Sequence, residues 1–440
     1  MFSILIAKMA LFAGNLLHRG SALPGSIALK LNKNILEKFK LPKNIIAVTG
    51  SAGKGTTSKL IAETLKSQGF KVVHNHRGGN LKSGIVTMLV EASDLFGNIK
   101  ADYLVYEIDE RYFKQVYTKL EPTTVVITNL VRDQPPRQGN IDFVYNDIKM
   151  CLTSKTHLIL NADDPYLQKF VLDLKCPVTY YSIEENKYSY LNNDYENLVM
   201  EYCPICNTKL KYNYYHFEIY GDYYCPKCSF KRPISKYKVT NIDYDKGIMT
   251  INNQYEIKIL NNILYNIYNI LATITTLDSL NLNPDKFIPY ISKSEYDHKL
   301  CNHFKINDKD AYVFYSKNEN STSYNQALHY IKRSDDLKTI VVGWEVISHR
   351  YPYNDVSWIY DINFEILKNS NVDEVICVGP NCYDIATRIK LAGIDDKKII
   401  TFKNFKDSLN KTLNDTKGNI YFIVNPDYVI PLLKILKGRK

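Results

Sequence analysis

The chain is predicted to be an α/β protein with two mainly parallel sheets and a small cysteine-bearing module inserted into the first part. Three observations predict this. Between about residues 44 and 165, the apolar runs NIIAVTG, FKVVHN, ADYLVYEID, TTVVITNL and THLILNADD alternate with helical patterns, and each ends in polar or glycine residues. Continuous apolar strands of this kind are covered on both faces, as in a parallel sheet. The rhythm returns in KTIVVGWEV, VDEVICVGP, KKIITF and NIYFIVNP, and the region between holds two Cys-x-x-Cys pairs among many tyrosines.

Each segment has its own reason. The 440 residues suffice for two or three domains. MFSILIAKMALFAGNLL has Lys8 inside its apolar run and no basic residue before it, so it reads as an N-terminal helix rather than a signal peptide. TTSKLIAETLKSQGF places Leu60, Ile61 and Leu65 on one helical face, with Gly69 as a stop. YKVTNIDYDKGIMTINNQYEIKI alternates like an antiparallel hairpin that follows the insertion. NNILYNIYNILATITTLDSL is helical, and the polar stretch around 294–310 is a domain boundary. The expected division is a helical segment 1–40, a phosphate-binding domain 41–300 with an insertion at about 198–235, and a C-terminal α/β domain 301–440.

Apolar content of 45% and charged content of 23% are those of a globular protein. The net charge of +10 comes without a compact Lys/Arg block, which argues against nucleic acid as a partner. Nine cysteines are too few for a disulfide scaffold and point to the cytosol. Cys151, Cys176, Cys301, Cys377 and Cys382 lack metal spacing and read as buried thiols.

The chemistry starts at AVTGSAGKGTTSKL, residues 47–60, between a buried strand and a helix. There, backbone N–H groups and the helix N-terminus favour phosphate oxygens. Gly50 and Gly53 allow close backbone approach, Lys54 would neutralise β- and γ-phosphates, and Thr56 or Thr57 could offer a hydroxyl to Mg²⁺. The spacing is not that of the common P-loop, because Val48 stands where its first glycine would be. CPIC at 203–206 and CPKC at 225–228 have zinc-ribbon spacing, so Cys203, Cys206, Cys225 and Cys228 would form a closed tetrahedral thiolate site for a structural Zn²⁺.

TGSAGKGTT resembles the nucleotide loop of the Mur ligase superfamily, which has the shorter spacing. Gly55 after the lysine is similar to the folylpolyglutamate synthase branch, which implies that Thr56 supplies the hydroxyl. The resemblance implies an ATP site over Gly50, Ser51, Ala52, Gly53, Lys54, Gly55, Thr56 and Thr57, with Glu107 at the end of YLVYEID holding Mg²⁺. LILNADDP and NIYN are similar to further family segments, and Asn269 with Asn266 would lie on the helix contacting the adenine.

A ribbon inserted in such a domain narrows the resemblance to the MurT family of synthetase subunits. RGSALPGSIALKL, HNHRGGNLKSGI, NLVRDQPPRQGNID, SKNENSTSYNQAL and NDVSWIYDINFE extend it over nearly the whole chain. The resemblance implies an ATP-dependent, amide-forming ligase of cell-wall peptidoglycan synthesis, acting in the cytoplasm at the inner face of the membrane. ATP would activate the α-carboxylate of D-glutamate in the lipid II stem peptide as an acyl phosphate, and ammonia would convert it to D-isoglutamine. The ammonia would come from a GatD-type class I glutaminase in a heterodimer. Asp355 in DVSWIYD would complete the partner's Cys-His pair, or else cap the helix expected over SWIYDINFEIL. The implied catalytic residues are thus Lys54, Glu107 and Asp355.

The chain departs from the family at several points. Asp133-Gln134 stands for the Asp-His of most Mur ligases, Asn302-His303 for Gly-Arg, and Glu319 for the proline of Lys-Asn-Pro after Lys317 and Asn318. His298 and His303 read as polar loop residues. The competing readings are an amino-acid-adding ligase, a ribbon-bearing NTPase that binds nucleic acid, and an ATP-binding scaffold without catalysis.

Overall fold

The computed structural model of the chain describes residues 2–16, 22–77, 79–132, 140–193, 199–259, 263–294, 301–306, 308–316, 320–347 and 355–438. Asp133, Gln134, His298, Lys317, Asn318 and Glu319 lie outside them.

The first sheet uses β1 (Asn44–Thr49), β2 (Val72–His74), β3 (Tyr103–Glu107), β4 (Thr124–Ile127), β5 (His157–Asn161) and β6 (Val178–Ile183). A separate hairpin, β7 (Lys211–Phe217) and β8 (Tyr220–Tyr224), belongs to the cysteine module. The chain then returns as β9 (Tyr237–Asp243), β10 (Ile248–Ile251) and β11 (Tyr255–Lys258). The nine strands are ordered β11-β10-β9-β6-β5-β4-β1-β3-β2. From β6 to β2 all pairs are parallel, and Ile45–Val48, Leu104–Tyr106, Val125–Ile127 and Leu158–Leu160 are buried as such strands require. The alternating segment after the insertion docks β9 parallel to β6, and β10 and β11 extend the edge antiparallel.

β1 lies between β3 and β4, so the connections leave it in opposite directions. Its carboxyl end is therefore a switch point, where open α/β sheets bind ligands. The helices Phe2–Leu16 and Leu23–Leu31 form a layer over the helix Lys82–Ala92. Gly25 allows the close approach, since a Cβ there would stand 1.8 Å from the Ser83 carbonyl oxygen. No helix among the described residues is long and apolar enough to cross a membrane.

The second sheet contains β12 (Cys301–Ile306), β13 (Lys309–Tyr315), β14 (Lys338–Gly343), β15 (Val372–Val378), β16 (Ile399–Phe402) and β17 (Asn419–Val424), ordered β12-β13-β17-β14-β15-β16. All its pairs are parallel except β12 with β13. One face packs on the helices Ser321–Ile331 and Cys382–Leu391, the other on Phe405–Asn414 and Pro426–Lys437.

Two local expectations differ. His303 is a strand residue, because Phe304 and Ile306 alternate inward along β12, and its ring bonds Asp310 at 2.5 Å. SWIYDINFEIL forms two 3₁₀ turns, Ser357–Asp361 and Phe364–Asn369, instead of one helix. Burying Trp358, Ile359, Phe364 and Leu367 together requires a break between them, and Trp358 packs on Trp344 with ring centroids 4.8 Å apart.

Candidate nucleotide site and cysteine cluster

The loop after β1 is held from beneath by the chain after β4. The Ser51 amide donates to the Asn129 carbonyl at 3.0 Å, the Ala52 amide to Asn129 Oδ1 at 2.9 Å, and the Ser51 hydroxyl to the Val131 carbonyl at 3.1 Å. Gly50 and Gly53 take φ of 127° and 82°, which favour glycine. A Cβ on Gly50 would come within 2.3 Å of Thr128 Oγ1, and one on Gly53 within 2.2 Å of Asn269 Oδ1. Gly53 caps the helix Lys54–Ser67, whose first-turn amides have no intrahelical acceptor and point past it. Gly53→Ala is therefore expected to weaken nucleotide binding at least tenfold while the protein stays folded, as fluorescent-nucleotide titration would measure.

Lys54 is buried, donates to the carbonyls of Gly50 and Ser51, and pairs with Glu110 at 3.1 Å. Glu110 thus joins the candidate site, and the sequence reading did not single it out. Its only signal was its place three residues beyond Glu107 in YLVYEIDE. Glu107 is fixed through its main chain by Asn75, with two bonds of 2.9 Å, and its Oε1 accepts from Asn80 Nδ2 at 3.0 Å. Its Oε2 would lie 3.2 Å from a Cβ on Gly55, so the carboxylate faces the start of the helix.

A cavity of about 470 Å³ opens here, of the size that ligand sites commonly have. The first domain lines it with residues 51–56, Glu107 and Asn269, and the second with Tyr315, Asn320, Ser323 and Gln326. Thr56 lies on this wall, whereas Thr57 is buried and directs its hydroxyl to Asn269 Oδ1 at 3.3 Å. Gly50 shapes the turn from behind. Asn266 and Asn269 on the helix Leu264–Ser279 stand over the loop itself.

Asp355 lies elsewhere, at the start of the first 3₁₀ turn, where its Oδ1 accepts from the Ser357 amide at 2.8 Å. Arg132 ties this segment to the first domain, with Nη2 donating to Ser357 Oγ at 3.0 Å and Nη1 3.3 Å from Asp361. No pattern along the chain pointed to this link between residues more than 200 positions apart.

The four cysteines of the module converge, with their sulfurs all within 4.8 Å of one another. Cys203 and Cys228 are 3.5 Å apart, and Cys206 and Cys225 3.4 Å. Thiolates at about 2.3 Å around a tetrahedral zinc stand about 3.8 Å apart, so the cluster fits that ion. The amides of Ile205 and Lys227 donate to Cys203 and Cys225, each at 3.4 Å, as knuckle turns do. The module is anchored by Arg232, which bonds Asp163 of NADD at 2.7 Å and the Ile183 carbonyl at 2.7 Å. Its hairpin tip places Glu218 against Asn325 of the second domain. Burial pushes the Glu218 and Asp164 carboxyls up to about 7 each.

Comparison with known proteins accounts for this arrangement. The Mur ligase middle domain matches residues 48–277, and the MurT ligase C-terminal domain matches residues 318–428. The chain is 31% identical to the subunit MurT of the lipid II isoglutaminyl synthase (glutamine-hydrolyzing) of Staphylococcus aureus strain COL, over 99% of this chain and 97% of that protein. The chain belongs to the MurT family. It is thereby an ATP-dependent ligase of the Mur type, in the branch named as a subunit of a two-component synthase. The MurT subunit of Streptococcus pneumoniae is 28% identical over the same shares of both chains. Among solved structures, a pseudomurein peptide ligase type C from Methanothermus fervidus shares the fold with a TM-score of 0.71 and 21% identity, covering 93% of this chain and 81% of that one. MurF ligase from Thermotoga maritima in complex with ADP has a TM-score of 0.60 and 15% identity, covering 95% and 85%.

Proposed function

We propose that the chain is the synthetase subunit of a lipid II amidating enzyme whose ammonia comes from a GatD-type class I glutaminase. The α-carboxylate of D-glutamate in the lipid II stem peptide attacks the γ-phosphorus of ATP, the bond to the β-phosphate oxygen breaks, and ADP leaves. Ammonia then attacks the carbonyl carbon of the acyl phosphate, the carbon–oxygen bond to phosphate breaks, a proton is lost, and D-isoglutamine remains.

The observation that carries this reading is the phosphate loop facing a wall from the second domain across one cavity. The first-turn amides and Lys54 would hold the terminal phosphates and stabilise the charge that develops during transfer. Thr56 and Glu107 offer oxygen ligands on the same wall and would hold Mg²⁺, which neutralises phosphate charge. The cysteine cluster would hold Zn²⁺ in a structural role, because four thiolates leave no position for substrate.

Asp355 stands on the half-exposed 3₁₀ segment away from the cavity, as a group serving a partner's active site would. It would orient the partner's histidine and stabilise its cationic form. Asp355→Ala is expected to lower glutamine-driven amidation by about 10²-fold or more, while ammonium-driven amidation stays within about threefold. Mass analysis of lipid II treated with ATP and each nitrogen source reads the acid-to-amide change. Equal loss with both sources would refute the role of Asp355. No amide from either source with the unaltered complex would refute the reaction. Similarity to peptide ligases favours amino-acid addition as a second reading, and turnover with ammonium but no added amino acid excludes it.

A further inference from the structure

The helix Phe2–Leu16 is apolar on two opposite faces. Ile4, Ala7 and Leu11 are buried against the protein, whereas Phe2, Leu5, Met9 and Phe12 form a stripe on the outer side. Phe2 is 70% exposed, Met9 64% and Phe12 71%. A helix apolar all round belongs in a core or a membrane environment. A second element joins the stripe. The tight turn after the helix Lys82–Ala92 exposes Leu95 and, at 71%, Phe96, and its Gly97 abuts the helix, since a Cβ there would lie 3.6 Å from Ile4 Cδ1.

Charge identifies what covers this patch. Residues 1–43 contain seven basic residues and one acidic one, so a tenth of the chain holds more than half of its net charge of +10. Exposed Lys38 and Lys40 flank the turn directly, with the Lys40 amide bonded to the Gly97 carbonyl at 2.8 Å, and Lys100 is exposed beside it. The bordering acids are engaged. Glu37 pairs with Lys119, Glu91 pairs with Arg77 at 2.7 Å, and Asp94 accepts from the amides of Phe96 and Asn98 at 2.8 and 2.9 Å. Large apolar side chains bordered by exposed lysines suit the interface of an anionic bilayer, where rings enter the acyl boundary and ammonium groups meet headgroups.

We propose that the outer face of the helix Phe2–Leu16, with Leu95 and Phe96, is a docking surface for an anionic lipid membrane. The contact is interfacial and does not span the bilayer. It goes beyond the amidation reading, since it concerns where the protein sits and not the reaction.

The test is flotation of the full-length protein, alone and with its glutaminase partner, with phosphatidylglycerol-rich vesicles and with purely phosphatidylcholine vesicles. The expected result is partition onto the anionic vesicles that weakens as salt rises. Met9→Asp/Phe12→Asp and, independently, Phe96→Asp should each lower it at least tenfold with the thermal midpoint unchanged, because all three side chains face outward. Absence of flotation with anionic vesicles, or equal flotation of both variants, overturns the proposal. Loss of flotation on adding the partner, or self-association abolished by the same substitutions without any vesicle binding, also overturns it by showing the patch to be a protein interface.

Discussion

Lys54→Ala is expected to lower ATP-dependent amidation by about 10³-fold or more, with ammonium as much as with glutamine, since a preorganised charge on a transferring phosphoryl group carries contributions of that order. Phosphate release in the presence of lipid II measures it. The substitution has a second effect, because Lys54 lies against Glu110, whose side chain is 1% exposed. Removing the amine takes the Lys54 charge away from that buried carboxylate, which is expected to lower stability. Urea unfolding should show that loss, and Lys54→Met combined with Glu110→Gln should restore stability without restoring turnover. Activity of Lys54→Ala within tenfold of the unaltered protein would remove the loop from the chemistry.

Removal of metal from the cysteine cluster should produce the largest structural effect. The protein is expected to hold one zinc per chain, and Cys225→Ser should lose it. Structural zinc sites contribute apparent free energies of about 10 kcal/mol or more to the folding of small modules. Here the module is also held by Arg232 and the surrounding aromatic packing, so a fall in the unfolding midpoint of about 5–10 °C is expected. Atomic absorption and calorimetry on the same samples check both statements. A metal-free chain with an unchanged midpoint would show that the cluster needs no ion.

The parts that were legible in the sequence are those built from neighbours in the chain. β1 and its loop, the helix that follows, most strands of both sheets and the two cysteine pairs each announce themselves through apolar runs, glycine position or fixed spacing, whereas β6, β12 and β13 were not singled out. The illegible parts join distant segments. Glu110 meets Lys54 across 56 positions, Asp163 meets Arg232 across 69, and Arg132 meets Ser357 across 225. Periodicity holds no record of such pairs. The 3₁₀ turns at Ser357–Asp361 and Phe364–Asn369 were missed for another reason, since the demand to bury two bulky groups from one short stretch overrode its helical pattern.

The hairpin tip of the cysteine module has a mechanical consequence. Glu218 sits in a left-handed turn with φ of 46° and touches Asn325, which also bonds the main chain at Asp361 and Asn363 beside the Asp355 segment. The sulfurs at one end of the module and this rest at the other make it a strut between the two lobes. A hinge motion that narrowed the cleft would have to turn about this contact or break it, so the insertion would limit how far the jaws could travel.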